Sequence, residues 1–166
     1  MKEYRIALVG FGNVGRALLR LLESKQQVLR ENYGFTTRVT GIATLRHGIA
    51  IDPAGIDPAS ALETAEKDGD LTALSSLPPA ESVLDFINKV PSDVIFENSP
   101  VNHHTGQPAA DHLRSALERG MHAITANKGP VVHAYEDLTR LAKEKNVRFL
   151  FESAVMDGAP IFSLFR

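Results

Sequence analysis

Short apolar segments alternate with longer segments of helical periodicity along most of the chain. The first apolar segment, "YRIALV" at residues 4–9, ends at a glycine, as is typical of a strand buried on both faces of a parallel sheet. Four further segments predict strands: "TTRVTGIATL" at 36–45, "DVIFE" at 93–97, "HAITA" at 122–126 and "VRFLFE" at 147–152. The pattern therefore predicts several buried strands separated by other elements.

Helical periodicity fills most of the intervals between these strands. The first helix is predicted to bury a face formed by Val14, Ala17, Leu18, Leu21, Leu22, Val28 and Leu29. Further helices are predicted near 81–88, through Leu113 to a stop at Gly120, and around Leu138. Residues 46–80 mix glycine, proline and aspartate, which predicts a loop with one or two short helices. This order predicts a Rossmann-type doubly wound α/β fold, with a mainly parallel sheet and helices on both faces.

Composition narrows the class of ligand. The chain has 166 residues, 18 basic and 20 acidic residues, and no cysteine. The net charge of -2 gives no electrostatic reason to expect nucleic acid or an anionic membrane as a partner. No apolar run reaches the roughly 18 residues of a membrane span, and the N-terminus does not resemble a signal peptide. We therefore expect a soluble, cytoplasmic protein with a small-molecule ligand.

A glycine-rich turn follows the first predicted strand. Gly10, Gly12 and Gly15 match the G-x-G-x-x-G spacing of a dinucleotide site, in which the glycines permit a tight turn, approach of the pyrophosphate, and close packing of helix on strand. The alternative is a strand-to-helix bend with incidental glycines. Because strand, turn and helix follow in the required order, we predict that the whole turn binds the cofactor: Gly10, Phe11, Gly12, Asn13, Val14 and Gly15.

The end of the second predicted strand bears on the choice of cofactor. Sites that prefer NAD usually place an acid there to hold the ribose hydroxyls. Here "IATLRHG" has no acid, and Arg46 and His47 stand where a 2′-phosphate would lie. A guanidinium favours that extra charge, so we predict NADP(H) in preference to NAD(H). The alternative is that both side chains simply face water.

Two neighbouring histidines, His103 and His104, raise the question of a metal site near Glu97. Adjacent side chains in a loop seldom point the same way, and no third ligand stands at metal spacing. We interpret them as part of a solvated or cofactor-lining loop.

The last residues differ from the rest of the pattern. After a Gly-Ala-Pro turn, Ile161, Phe162, Leu164 and Phe165 resemble the start of another helix. We therefore predict a dinucleotide-binding domain at residues 1–151, and at 152–166 the start of a truncated substrate or dimerisation domain, unless this end depends on a partner.

Four motifs together resemble the homoserine dehydrogenase family. The glycine-rich turn, the Ser-Pro loop at residues 99–100, "TANKGP" at 125–130 and "ESAVMDGAPIFSL" at 152–164 occur in that family's order and spacing, and "TANK" is the most specific. The resemblance covers nearly the whole chain. It implies an NAD(P)-dependent oxidoreductase that interconverts homoserine and aspartate 4-semialdehyde in the threonine and methionine branch of amino-acid biosynthesis, and a homodimer in the full-length protein.

The resemblance also assigns roles to individual residues. Lys128 matches the family lysine beside nicotinamide and substrate, where an ammonium suits the negative charge that develops on the carbonyl oxygen. Asn127 would help to fix that turn and contact the cofactor. Asn98, Ser99 and Pro100 match the loop that touches the nicotinamide and its ribose. Lys128 is therefore the predicted catalytic residue, with a solvated lysine at a helix start as the alternative.

The resemblance places a substrate-binding and cation-binding region near the end of the chain. Glu152 matches the family glutamate close to a monovalent cation such as sodium, and Val155 and Asp157 belong to the same predicted site. The chain departs from the family there, since Asp157 stands where members usually carry glycine. Two alternatives remain open: another amino-acid dehydrogenase such as an aspartate dehydrogenase, and a non-catalytic Rossmann module that senses NADP(H).

Overall fold

A single mixed sheet forms the centre of the computed structural model, which describes residues 1–156. Its strands are β1 (Lys2–Val9), β2 (Phe35–Ala43), β3 (Ile49–Ile51), β4 (Val94–Glu97), β5 (His122–Thr125) and β6 (Phe149–Leu150). They lie in the order β3-β2-β1-β4-β5-β6. All neighbours pair in parallel except β2 and β3, which are antiparallel. The predicted mainly parallel, Rossmann-type sheet is confirmed.

Both faces of the sheet are covered by helices. The described helices are α1 (Asn13–Ser24), α2 (Gln26–Tyr33), α3 (Pro58–Glu66), α4 (Val83–Lys89), α5 (Ala109–Glu118), α6 (Lys128–His133), α7 (Tyr135–Glu144) and α8 (Ser153–Met156). Helices α1 and α3 contribute to the core on one face, and α4, α5 and α7 to the core on the other. This arrangement gives the doubly wound layering that the element order predicts.

Strand β1 shows why the apolar segments contain so few polar residues. Ile6 and Leu8 point into the core beneath α1 and α3, whereas Ala7 and Val9 point into the core beneath α4 and α5. All four are at most 3% exposed. A strand in the middle of a doubly covered sheet must be apolar at consecutive positions, because its side chains alternate between two buried faces.

The first helical region differs from its prediction in two ways. It is divided at Lys25 into α1 and α2, and the buried residues of α1 are Gly15 and Leu19. Val14, Leu21 and Val28, predicted to be buried, are 54%, 53% and 39% exposed. The prediction was therefore wrong for these three residues and right for Leu18 and Leu22, which pack against the core. Close packing of Gly15 on the preceding turn orients α1 so that Gly15 and Leu19, one helical turn apart, face the sheet.

Residues 46–80 are more regular than predicted. They contain β3, α3 and a short 3-10 helix at Leu71–Leu74, and β3 was not predicted at all. Asp57 caps α3 by accepting a hydrogen bond from the backbone N–H of Ser60 at 2.8 Å, with Pro58 at the first helical position. The region therefore extends the sheet by an antiparallel edge strand and covers one face of it.

The region "NKGP" is also more helical than predicted. The motif alone indicates a turn after β5, but Lys128 begins α6, and α7 begins at Tyr135. The last strand is shorter than the predicted 147–152. Asp157 and the predicted helix at 161–165 lie outside the described residues. Across the described part of the chain, no helix combines the length and apolar character that a membrane span requires.

Candidate functional site

The glycine-rich turn joins the carboxyl end of β1 to α1. Gly10 has φ +89°, and its N–H donates to the carbonyl oxygen of Ala43 at the end of β2, at 2.8 Å. A Cβ on Gly10 would lie 2.5 Å from the carbonyl oxygen of Asn98, which follows β4. Only glycine fits this position, both because the backbone is left-handed and because two strand ends approach each other there.

The other two glycines have contrasting surroundings. A Cβ on Gly15 would lie 2.5 Å from the carbonyl oxygen of Gly10, so glycine is needed for α1 to pack on the turn. A Cβ on Gly12 would meet no described atom within 4 Å. The space beside the backbone of Gly12, at the N-terminus of α1, is therefore open to a ligand, and a helix N-terminus favours an anionic one.

The remaining residues of the turn support this geometry in different ways. Phe11 is 3% exposed and belongs to the core under α1. The side-chain oxygen of Asn13 accepts a hydrogen bond from Arg16 at 3.1 Å, and Val14 is half exposed at the rim of a cleft. The turn thus combines one buried anchor with an accessible surface.

The loop after β4 lies directly beside this turn. The N–H of Asn98 donates to the carbonyl oxygen of Val9 at 2.7 Å, which joins the end of β1 to the loop. Glu97 is fully buried, and its carboxylate accepts hydrogen bonds from the hydroxyl of Ser99 and from its N–H, the latter at 3.2 Å. Thr125, at the end of β5, also donates to this carboxylate, at 3.3 Å. A buried acid therefore holds two strand ends together beneath the surface of the site.

The start of α6 completes the same edge of the sheet. The side-chain oxygen of Asn127 caps the helix by accepting from the N–H of Gly129 at 3.0 Å, and its amide donates to the carbonyl oxygen of Ser99 at 3.1 Å. Lys128 is the first residue of α6 and is exposed. Asn127 therefore fixes the position from which the Lys128 side chain extends.

A cleft of about 190 Å³ opens where these elements meet. It is lined by Val14, Asn98, Ser99, Val101, Ala126, Asn127 and Lys128. The site predictions thus converge here from three separate parts of the chain, while Pro100 is exposed next to the cleft.

The residues around this cleft suit a dinucleotide. Within residues 1–156, the buried amide nitrogen of Asn98 has no hydrogen-bond partner, which leaves a donor at the cleft for a ligand. Together with the open space beside Gly12, this donor gives the site two features that a dinucleotide would satisfy. If NAD(P) binds here, the turn from Gly10 to Gly15 would hold the pyrophosphate, and Asn98, Ser99 and Asn127 would contact the nicotinamide end.

The predicted 2′-phosphate residues lie in a turn that follows β2. Arg46 is 74% exposed in its side chain and pairs with Asp68 at 2.6 Å, whereas the ring of His47 is mostly buried and lies 3.1 Å from the carbonyl oxygen of Gly69. Residues 42–48 contain no acid, but the fold places Asp68 beside this end of β2. Asp68 is 22 positions away in sequence and carries no local signal that would have revealed it.

Sequence reasoning also missed the buried side chains below the cleft. His112 on α5 is 5% exposed, and its Nδ1 lies 3.6 Å from the Glu97 carboxylate. The sequence suggests Glu97 only as a possible metal ligand. The sequence does contain one signal, since Glu97 is an acid at the end of an otherwise apolar strand. A buried carboxylate there requires hydrogen-bond donors nearby.

The histidines and acids that the sequence suggested as metal ligands do not lie together. His103 and His104 are exposed, and the carbonyl oxygen of His103 lies 2.9 Å from a ring nitrogen of His133. Among the described residues, no group of three or more histidine, aspartate or glutamate side chains is arranged to hold a metal. For the predicted monovalent-cation site, partly buried Glu152 directly precedes α8, which includes Val155, and Asp157 lies outside the described residues.

Comparison with known proteins agrees with this geometry. Residues 10–152 match a family model described as the NAD-binding domain of homoserine dehydrogenase. An NAD(+)-dependent homoserine dehydrogenase from Pseudomonas canavaninivorans is 37% identical over 169 residues, covering 99% of this chain and 47% of that protein. A homoserine dehydrogenase from Methanocaldococcus jannaschii is 36% identical over 159 residues, covering 96% and 47%.

Solved structures give the same result. A hyperthermophilic archaeal homoserine dehydrogenase in complex with NADPH superposes with a TM-score of 0.82 at 28% identity, covering 99% of this chain and 48% of that one. The chain therefore spans about half the length of the relatives that it matches.

Proposed function

Because the chain belongs to the homoserine dehydrogenase family through its NAD-binding domain, we propose that it is the cofactor-binding half of an enzyme that interconverts homoserine and aspartate 4-semialdehyde. The observation that carries this proposal is the meeting of the glycine-rich turn, the Ser99 loop and Lys128 around one cleft. In a parallel sheet, the crevice beyond the carboxyl ends of the strands is where such ligands bind.

We propose NADP(H) as the preferred cofactor. The exposed guanidinium of Arg46 supports this preference, because it is available to a 2′-phosphate at the end of β2. Relatives are named for each choice, one as NAD(+)-dependent and one as a complex with NADPH. The preference therefore has to be measured on this chain.

The proposed chemistry uses the chain's residues mainly to position and polarise. A bound NADPH would supply a hydride to the aldehyde carbon of aspartate 4-semialdehyde, and in the reverse direction NADP+ would accept a hydride from the alcohol carbon of homoserine. Asn127 orients the start of α6, and Lys128 holds an ammonium beside the reacting carbonyl oxygen, where it stabilises developing negative charge or delivers a proton. Ser99, held by Glu97, shapes the wall against the nicotinamide.

Further parts of the proposal rest on the family resemblance. They are a role in threonine and methionine biosynthesis, a cytoplasmic location and a homodimer formed by the full-length protein. Substrate binding by Glu152 and a monovalent cation near Glu152, Val155 and Asp157 belong to the same group. These parts concern the whole enzyme, whereas the cofactor site that we propose is formed by residues around the cleft.

Calorimetric titration of the 166-residue chain with NADPH and NADH tests the cofactor site. We expect NADPH to bind more tightly, and Arg46→Ala to weaken NADPH by about 10-fold while changing NADH little, because only NADPH carries the 2′-phosphate. Arg140→Ala is a matched control, since Arg140 is an exposed arginine on α7 that pairs with Asp137 and Glu144. Absence of binding by either cofactor would contradict the proposal.

Lys128 separates an enzyme from a module that only senses NADP(H). In a longer protein that includes the substrate domain, we expect Lys128→Ala to lower kcat by about 100-fold or more while cofactor affinity changes little. Lys145→Ala is the control, because Lys145 is exposed after α7, shortly before the amino end of β6. Unchanged turnover in Lys128→Ala would refute the catalytic assignment.

A further inference from the structure

A basic and an acidic side chain lie together at the end of β2, and only the basic one comes from the turn that follows this strand. Arg46 lies in the turn after β2, and its guanidinium is 2.6 Å from the carboxylate of Asp68. Asp68 follows α3 and is 60% exposed in its side chain. Both groups are therefore accessible to a ligand that enters beside the turn.

The position of Asp68 depends on more than this ion pair. The segment that follows Asp68 is joined to the turn after β2 through His47, whose ring lies 3.1 Å from the carbonyl oxygen of Gly69 and whose carbonyl oxygen accepts from the N–H of Leu71 at 2.7 Å. A Cβ on Gly48 would lie 2.6 Å from the carboxylate of Asp70, so the two segments are in close contact. The acid is thus placed next to Arg46 by packing that does not involve either charge.

The neighbouring acid, Asp70, is committed to another role. Its carboxylate caps the 3-10 helix by accepting from the N–H of Thr72 at 2.9 Å, and this bond lowers the pKa of Asp70 below its ordinary value. Asp68 lies two residues before this cap, and its backbone has φ +55°, which aspartate and asparagine tolerate better than most residues. Asp68 is therefore the acid available to a cofactor.

We propose that Asp68 is a specificity-determining residue of the cofactor site, which rests on the proposed binding of NAD(P) at the glycine-rich turn. The turn after β2 lies beside Gly10, because the N–H of Gly10 donates to the carbonyl oxygen of Ala43. Asp68 takes the place of the acid that NAD-preferring sites carry at the end of this strand, and supplies it from a later segment.

The pair of Arg46 and Asp68 would then interact with the adenosine ribose of either cofactor, NAD(H) or NADP(H). With a 2′-hydroxyl, the Asp68 carboxylate accepts a hydrogen bond from the ribose, and Arg46 neutralises the acid. With a 2′-phosphate, Arg46 pairs with the phosphate, while Asp68 competes for the guanidinium and repels the added charge. Asp68 therefore moderates the preference for NADP(H) and keeps NAD(H) as a usable cofactor.

Titration of the 166-residue chain with NADPH and NADH tests this role. Asp68→Asn keeps the left-handed backbone and removes the charge, so we expect about fivefold tighter NADPH and about threefold weaker NADH. Glu63→Gln is the control, because it removes an equal charge from an exposed ion pair with Lys67, just after α3. The gain in NADPH affinity should become smaller when Asp68→Asn is combined with Arg46→Ala, since only the direct repulsion between Asp68 and the 2′-phosphate is then left to relieve.

The outcomes separate the two proposals. If Arg46→Ala weakens NADPH but Asp68→Asn leaves the ratio of the two affinities unchanged, the role of Asp68 is refuted and the cofactor site stands. If Glu63→Gln changes the ratio as much as Asp68→Asn does, the effect is general electrostatics and the specific role is also refuted. If neither cofactor binds the unaltered chain, the proposed function fails, and the role of Asp68 fails with it.

Discussion

Two glycines of the same turn should respond to alanine in opposite ways. The added methyl group of Gly15→Ala would lie 2.5 Å from the carbonyl oxygen of Gly10, a backbone atom that cannot move without shifting the turn. The methyl group of Gly12→Ala would meet no described atom within 4 Å. Gly12 also has an extended backbone, φ -78° and ψ -154°, which does not require glycine. The first variant therefore tests the fold and the second tests the ligand site.

The expected magnitudes follow from these distances. Overpacking of a close contact costs about 1–3 kcal/mol, so Gly15→Ala should lower the free energy of unfolding by that amount. Gly12→Ala should change it by no more than about 0.5 kcal/mol, as exposed substitutions usually do. Its methyl group would instead separate the pyrophosphate from the backbone and the helix N-terminus. Loss of charge-assisted hydrogen bonds worth about 1.5–3 kcal/mol should weaken the affinity for NADPH by about 10- to 150-fold.

Urea unfolding followed by circular dichroism measures the first quantity, and calorimetric titration with NADPH measures the second. The reasoning requires that each variant change mainly its own quantity. Wild-type affinity in Gly12→Ala would show that the pyrophosphate does not lie over this residue. Wild-type stability in Gly15→Ala would show that α1 does not pack on Gly10 as closely as described.

Two further predictions concern groups outside the turn. Glu97→Ala removes the acceptor of hydrogen bonds from Ser99 and Thr125 and leaves a cavity. Urea unfolding should therefore show a free energy of unfolding lower by about 3 kcal/mol or more, against about 1 kcal/mol for Glu97→Gln. Equal losses in the two variants would contradict this prediction. Hydrogen bonds from Arg5 lower the pKa of Asp93, so their stabilisation is present above the unfolded pKa of about 3.9 and is lost as pH falls through the lower folded value. Asp93→Asn should therefore cost about 1 kcal/mol at pH 7 and progressively less as pH falls from about 3.9 through the lower folded pKa, and a difference that is independent of pH would refute this.

The sequence predicts the features of this fold that depend on local physics. A run such as residues 4–9 is apolar because β1 is covered on both faces, and that requirement is visible in the residues themselves. Strand β3 has only three residues, between Gly48 and Asp52, and is held by pairing with β2. A segment this short has too little periodicity to be distinguished from a loop.

The three apolar residues wrongly predicted to be buried in the first helical region have a similar cause. Val14, Leu21 and Val28 recur every seven residues and suggest a continuous buried stripe, but the helix is interrupted at Lys25. The buried face is instead set by the contact between Gly15 and the turn before it. A helix that must approach a backbone this closely turns its smallest residue inward, which hydrophobicity alone does not reveal.

The features of the candidate site also differ in whether they depend on residues that are close together in the sequence. The glycine-rich turn and the Asn127 cap are short-range features, so their spacing in the sequence already specifies their geometry. Asp68 meets Arg46 only because α3 returns the chain to the end of β2, a contact between residues that are far apart in sequence. Binding of a dinucleotide is therefore the part of the function that a motif can predict. If Asp68 acts as we propose, the choice between NAD(H) and NADP(H) depends on charges that the fold brings together, so it can change by substitution at a distant loop while the glycine-rich turn stays the same.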